Sequence, residues 1–210
     1  MGIIRTLNGD ISANQLGVTY SHDHIYCIPP YWAERQDDDL LLDDPQASER
    51  ELSDFRRAGG NAIYDATAPD YGRQAAAVAA MAQRQQLHII ATAGFNKGFL
   101  WSSKRPGSAQ TFAEWIAHSD VDELVEHVCR EVTEGIEGTE HRAGVVKCGT
   151  GYNAISPLEQ KIMEVIVRAQ QRTGAPMHSH TEMGTMGLEQ AQLFKKWGLD
   201  LSRLCFAHMD

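Results

Sequence analysis

Short apolar runs recur along the chain, and each is followed by a polar or glycine-containing turn and then by a longer segment of helical period. The short runs are rich in β-branched residues and predict six strands, over 17–24, 61–67, 88–94, 143–149, 175–181 and 204–210. The longer segments have helix-forming composition with apolar residues at i, i+3 and i+4, over 45–59, 71–85, 119–135, 156–174 and 184–198. The chain therefore alternates strand and helix.

The helix predicted over 156–174 has the most complete end signals. Ser156 is a helix-capping residue, Pro157 fits the first helical position, and Glu159 completes a capping box. Gly174 follows the last turn, where a left-handed residue ends many helices.

Repeated strand–helix units require a parallel sheet with right-handed crossovers, because parallel neighbours need a connection long enough to hold a helix. A doubly wound sheet favours a glycine-rich turn after its first strand, but IYCIPPYW follows 17–24. Functional-looking side chains come from the ends of four strands, which favours a (β/α)₈ TIM barrel. Such a barrel usually needs about 250 residues and eight strands. We therefore expect one domain over 1–210, covering roughly the first six β/α units and incomplete at its C-terminal end.

Composition excludes several classes of function. The chain is 42% hydrophobic and 22% charged, as expected for a globular protein. Its formal net charge is -9 and its Lys and Arg residues form no cluster, which argues against nucleic-acid binding. We find neither a signal peptide nor an apolar run of about 20 residues, so membrane association is not expected. The four cysteines form no C-x-x-C pair, which predicts reduced thiols and a cytoplasmic protein.

Histidines at strand ends form the main candidate site. His22 and His24 are two residues apart on a strand, so their side chains share one face, and His180 and His208 close the fifth and sixth strands. First-row metals such as zinc favour imidazole ligands. His178 shares the face of His180 and also could reach a metal. Because it lies two residues earlier, we favour a hydrogen-bonded core histidine there.

Lys147 is the only charge in the apolar strand 143–149. A buried bare ammonium is costly, so it loses its proton or finds a partner. One interpretation is a carboxylate partner, and another is a lysine that carries CO₂ as a carbamate and bridges two cations. The residue pattern alone does not decide between them.

Four motifs carry a family resemblance: S-H-D-H at 21–24, V-V-K-C-G-T at 145–150, S-H-T-E-M-G-T-M-G-L-E-Q at 179–190 and F-A-H-M-D at 206–210. Their order and separation resemble the phosphotriesterase-like branch of the amidohydrolase superfamily, and in particular its lactonase-like subset. The resemblance implies a TIM barrel with two divalent metal ions, zinc first, with manganese, cobalt and iron left open. It implies these ligands: His22 and His24 for the more buried ion, His180 and His208 for the more exposed ion, and carbamylated Lys147 as the catalytic bridge.

The family's strand-eight aspartate, which handles the proton of the bridging hydroxide, has no counterpart here, since Asp210 lies on the sixth predicted strand. The resemblance implies hydrolysis of an ester bond by a metal-bridging hydroxide. GFNKGFLW, at 94–101, resembles the subset that acts on phosphorylated sugar lactones.

We therefore expect a lactonase for a sugar lactone with or without a phosphate. Lys97 is the first candidate to meet a phosphate, while Tyr26 and Tyr152 are candidate substrate contacts. Two alternatives stay open, namely a phosphotriesterase or carboxylesterase with the same metals, and a non-catalytic metal-binding fragment. The expected partner is a small molecule, and a homodimer is left open.

Overall fold

The computed structural model describes residues 2–32 and 41–209. An antiparallel hairpin of β1 (Ile3–Thr6) and β2 (Gly9–Ser12) precedes the main sheet, and the strand–helix pattern did not predict it. The six predicted strands are all present: β3 (Thr19–Asp23), β4 (Ala62–Asp65), β5 (His88–Gly94), β6 (Val145–Gly149), β7 (Met177–His180) and β8 (Leu204–Ala207).

In the described part of the chain, six α-helices connect these strands: α1 (Pro45–Arg57), α2 (Ala75–Gln85), α3 (Phe112–His118), α4 (Val121–Thr133), α5 (Pro157–Thr173) and α6 (Gly187–Lys196). Five lie within the predicted helical segments, and α3 is an additional short helix in the long connection after β5. The predicted ends of α5 are confirmed, because Ser156 accepts from the backbone N–H of Glu159 and Gly174 has a φ of 73°.

The strands β3 to β8 pair in parallel, and their order in the sheet is their order in the chain. A doubly wound sheet instead reverses its strand order at a switch point. The fold is therefore an α/β half-barrel with all strand carboxyl ends at one edge.

The apolar core lies between this sheet and the helices that cover it. Val128 and Val132 of α4 and Ile162 and Ile166 of α5 are buried there. Gly94, with a φ of 102°, lets β5 approach β6 closely, because a Cβ at this position would lie 2.4 Å from the carbonyl oxygen of Lys147. No helix in the described residues is long and apolar enough to span a bilayer.

Candidate metal centre

The predicted histidines meet at the carboxyl edge of the half-barrel. His22 lies in β3 where its register against β4 shifts, a bulge that re-aims side chains, and His24 follows the strand. His180 ends β7 and His208 follows β8. The ring centroids of His22 and His24 are 5.6 Å apart, those of His22 and His208 are 5.1 Å apart, and those of His180 and His208 are 4.7 Å apart. Four imidazoles from three strands thus form one cluster.

Two residues at the carboxyl end of β4, Asp65 and Thr67, fix the tautomer of His24. Its Nδ1 lies 2.9 Å from the hydroxyl oxygen of Thr67, and that hydroxyl donates to the carboxylate of Asp65. A hydroxyl has a single hydrogen, so Thr67 accepts from His24 and Nδ1 carries the proton. The lone pair of His24 is consequently on Nε2, which is therefore the nitrogen that could bind a metal ion.

The ring of His180 is held through the opposite nitrogen. Its Nε2 lies 2.9 Å from a carboxylate oxygen of Glu182, which also pairs with the ammonium of Lys97. Burial alone would raise the pKa of Glu182, but the hydrogen bonds from Lys97 and His180 hold it below its usual range. An ionised carboxylate only accepts, so His180 carries its proton on Nε2 and has its lone pair on Nδ1.

The backbone of His208 adopts a left-handed conformation with a φ of 59°, which is uncommon for a residue other than glycine. The buried Thr181 hydroxyl lies 2.6 Å from the carbonyl oxygen of Ala207 and 3.0 Å from that of His208. These contacts join the loop after β7 to the end of β8. They keep His208 in the strained conformation next to His180.

Burial favours the neutral imidazole at His22, His24, His178 and His180. Desolvation lowers the pKa of His22 to about 4, of His24 to about 2, of His178 to about 2 and of His180 to about 3. The neutral form is the one that binds metal ions.

Lys147 is 1% exposed, and its ammonium donates to the carbonyl oxygen of Ala66 at 2.7 Å. No carboxylate of the described residues lies within ion-pairing distance, so the partner carboxylate considered from the sequence is not found. Burial lowers the pKa of Lys147 to about 8, although the charges of Asp70 and Asp65 act in the opposite direction. The amine is therefore easier to deprotonate than an exposed lysine.

The side chains suit a metal centre in their chemistry. In residues 2–32 and 41–209, no group of three or more His, Cys, Asp or Glu side chains has the geometry of a metal-binding site. The donors nevertheless fit, since four imidazoles lie close together beside a buried amine. An additional observation points to a missing group, because the buried Nε2 of His178 has no hydrogen-bond partner in the described part of the chain. The prediction of a hydrogen-bonded core histidine is wrong for this atom.

The predicted substrate contacts have different surroundings. Lys97 pairs with Glu182 and its side chain is 14% exposed, so it is not an unpaired cation facing a phosphate. Tyr152 is exposed in the loop after β6, while Tyr26 packs partly against the core. The sequence interpretation missed Glu182, although it lies two residues after His180 in the motif at 179–190.

The half-barrel and its polar strand ends define an α/β protein of the kind that carries a site at the carboxyl edge of its sheet. A sequence model of the Phosphotriesterase family matches residues 2–210, and the chain belongs to this family.

The relatives in this family include proteins with lactonase and organophosphorus hydrolase names. A phospho-furanose lactonase of Mycoplasmopsis agalactiae is 30% identical over 220 residues, covering 99% of this chain and 60% of that protein. The solved lactonase of Listeria monocytogenes is 49% identical with a TM-score of 0.96, over 100% of this chain and 66% of that one. The organophosphorus hydrolase of Deinococcus radiodurans is 30% identical with a TM-score of 0.84, over 99% of this chain and 62% of that one. The chain thus spans less than two thirds of these relatives.

Proposed function

We propose that the protein is a metal-dependent hydrolase of ester bonds, and specifically a lactonase for a sugar lactone with or without a phosphate. The observation that carries this proposal is the cluster of His22, His24, His180 and His208 at the strand ends, beside the buried Lys147. The names of the lactonase relatives support the choice of substrate class.

In this proposal, His22 and His24 would hold one divalent cation, His180 and His208 would hold a second, and a carbamate on Lys147 would supply oxygen ligands to both. The cations, zinc first with manganese, cobalt or iron as alternatives, would acidify a water and polarise the oxygen of the substrate carbonyl. The half-barrel would form roughly the first six units of a closed (β/α)₈ barrel and belong to a single domain.

The chemistry of Lys147 supports its role as the bridge. A neutral amine is needed to capture CO₂, and burial of Lys147 favours the neutral form. Capture replaces a buried positive charge with an anionic group that offers two oxygen donors. Such a group suits a position between two cations better than an ammonium does.

The surrounding residues orient the ligands before any substrate arrives. Thr67 binds the Nδ1 of His24 and leaves its Nε2 for a metal ion, while Glu182 binds the Nε2 of His180 and leaves its Nδ1. Hydrogen bonds of this kind fix ring orientation and are needed for full metal affinity. We assign Lys97 to holding Glu182 in place and not to a phosphate, because it already has a carboxylate partner.

The substrate would lie above the strand ends. Exposed apolar side chains follow four successive strands at this edge: Phe99, Tyr152, Met183 and Met209. Apolar surface with a few polar groups is the usual lining of a small-molecule site. Tyr152 remains our candidate substrate contact, while the packing of Tyr26 against the core makes it a weaker one.

Turnover by the zinc-loaded protein tests the proposal. We expect a phosphorylated sugar lactone or an acyl lactone to be hydrolysed faster than an organophosphate triester, and His22→Ala to lose this activity. His118→Ala is the matched control, because His118 is an exposed histidine at the end of α3. Preferred triester turnover would favour the alternative suggested by the Deinococcus radiodurans relative. Bound zinc without hydrolysis of any of them would favour a metal-binding fragment.

A further inference from the structure

His178 and Lys147 are direct neighbours inside the half-barrel. They are register partners on the adjacent strands β7 and β6, and they are 5% and 1% exposed. Neighbouring strands lie about 4.8 Å apart, and side chains at paired positions share a face of the sheet. The two side chains are therefore adjacent in the interior.

The Nε2 atom of His178 lacks a partner that its surroundings ought to supply. It is buried and has no hydrogen bond within the described ranges, a condition that destabilises the folded protein. The rings of His22 and Tyr64 lie nearby, with centroids 5.0 and 5.1 Å from that of His178. The hydroxyl of Tyr64 is already 3.1 Å from that of Thr92. A hydrogen-bond partner for Nε2 is therefore missing.

We infer that His178 donates its Nε2–H to a carbamate on Lys147 and is a positioning residue for that group. The inference rests on the proposed function, in which Lys147 carries CO₂. The neutral amine nitrogen attacks the carbon of CO₂, an N–C bond forms, and one amine proton leaves to solvent. The carbamate then has one negative charge and keeps one N–H.

The geometry around Lys147 fits this product. The remaining N–H can keep the present hydrogen bond to the carbonyl oxygen of Ala66. The new oxygens add acceptors next to β7, where His178 needs one. A hydrogen bond to an ionised acceptor is stronger than one between neutral groups, so the interaction would stabilise the carbamate as well as satisfy the histidine.

Carbon-13 NMR of the zinc-loaded protein in ¹³C-labelled bicarbonate tests the inference without measuring activity. The carbamate resonance is followed as bicarbonate is raised, and zinc content is measured in the same samples. We expect His178→Leu to need at least about tenfold more bicarbonate for half-occupancy, since a hydrogen bond to a charged group contributes that factor or more. His178→Gln places an amide N–H near the Nε2 position and should recover most of the signal. His118→Gln controls for loss of an exposed histidine.

The outcomes separate the two levels of the proposal. If the unaltered protein shows no carbamate resonance, the bridge in the proposed function fails and this inference fails with it. If the resonance is present and His178→Leu leaves its bicarbonate dependence unchanged, only the role of His178 is refuted. A His178→Leu protein that keeps the carbamate but loses zinc also refutes it, because His178 would then be a metal ligand. Should that variant not fold, His178→Asn serves instead, because its shorter amide does not reach the Nε2 position.

Discussion

Thr67→Val tests whether the chain of contacts behind His24 prepares the ligand. Thr67 is 1% exposed, and its hydroxyl joins the Nδ1 of His24 to the carboxylate of Asp65. Valine has nearly the same shape, so the change removes two hydrogen bonds with little change in packing. Asp65 keeps the backbone N–H of residue 67, 3.0 Å from its oxygen.

The magnitude follows from these contacts. Each lost hydrogen bond contributes about 1 kcal/mol net, so the free energy of unfolding of the metal-free protein should fall by about 2 kcal/mol. The ring of His24 would also lose the contact that selects its tautomer. Loss of such a supporting contact typically lowers metal affinity by about 10–100-fold.

Urea unfolding of the metal-free protein measures the first effect, and competition with a chelator for zinc measures the second. Thr67→Ser is the matched control, because it keeps the hydroxyl and loses only a methyl group. If Thr67→Val binds zinc as tightly as the unaltered protein, Thr67 does not prepare the ligand. A Thr67→Ser protein that loses as much affinity as Thr67→Val would place the effect in packing instead.

Three further predictions concern the metal bridge, a buried ion pair and pH. Lys147→Ala should lose binuclear binding, and elemental analysis that still finds two zinc ions per chain would contradict the bridge. Glu131→Ala should cost about 3–5 kcal/mol of unfolding free energy in urea, because Glu131 accepts from both terminal nitrogens of the buried Arg73, and a loss below about 1 kcal/mol would show the pair to be dispensable. The metal-free protein should lose stability as pH falls below about 6.5, since the four histidines with lowered pKa values bind protons only when unfolded. Burial raises the pKa of Asp65 and of Asp70 to about 6, so these carboxyls act in the opposite direction between pH 6 and 4. Four histidines against two aspartates leave about two protons taken up on unfolding, which is a net loss of about 3 kcal/mol per pH unit between pH 6 and 5, and stability that rises on acidification would contradict this balance.

The periodic elements of the fold could be predicted because their signals are local. The strands β4, β5 and β8 carry short apolar runs, and α5 has both end signals in its own sequence. The hairpin strands β1 and β2, with sequences IIRT and GDIS, contain no run of three apolar residues, and the seven residues of α3 are too few to show a helical period. Those elements depend on their packing against the rest of the half-barrel.

The candidate ligands were also predictable, because strand ends and the two-residue spacing are local features. Their partners were not. Lys97 and Glu182 lie 85 residues apart, and only the register of the sheet brings them together. The sequence shows the charge of Lys97 without its partner, and an unpaired cation after a barrel strand indicates a phosphate contact. The Nε2 of His178 has no hydrogen-bond partner among the described residues, and this also depends on the side chains of neighbouring strands.

The two supporting contacts distinguish His24 from His180 in a way that no sequence pattern could indicate. Thr67, beyond β4, holds the Nδ1 of His24 and leaves Nε2 with the lone pair. Glu182, beyond β7, holds the Nε2 of His180 and leaves Nδ1. The Nε2 atom lies farther from the backbone than Nδ1, so the two histidines would bind metal ions at different distances from their own strands. Two non-equivalent positions follow from this asymmetry, and a pair of cations in different environments is what two such positions would hold.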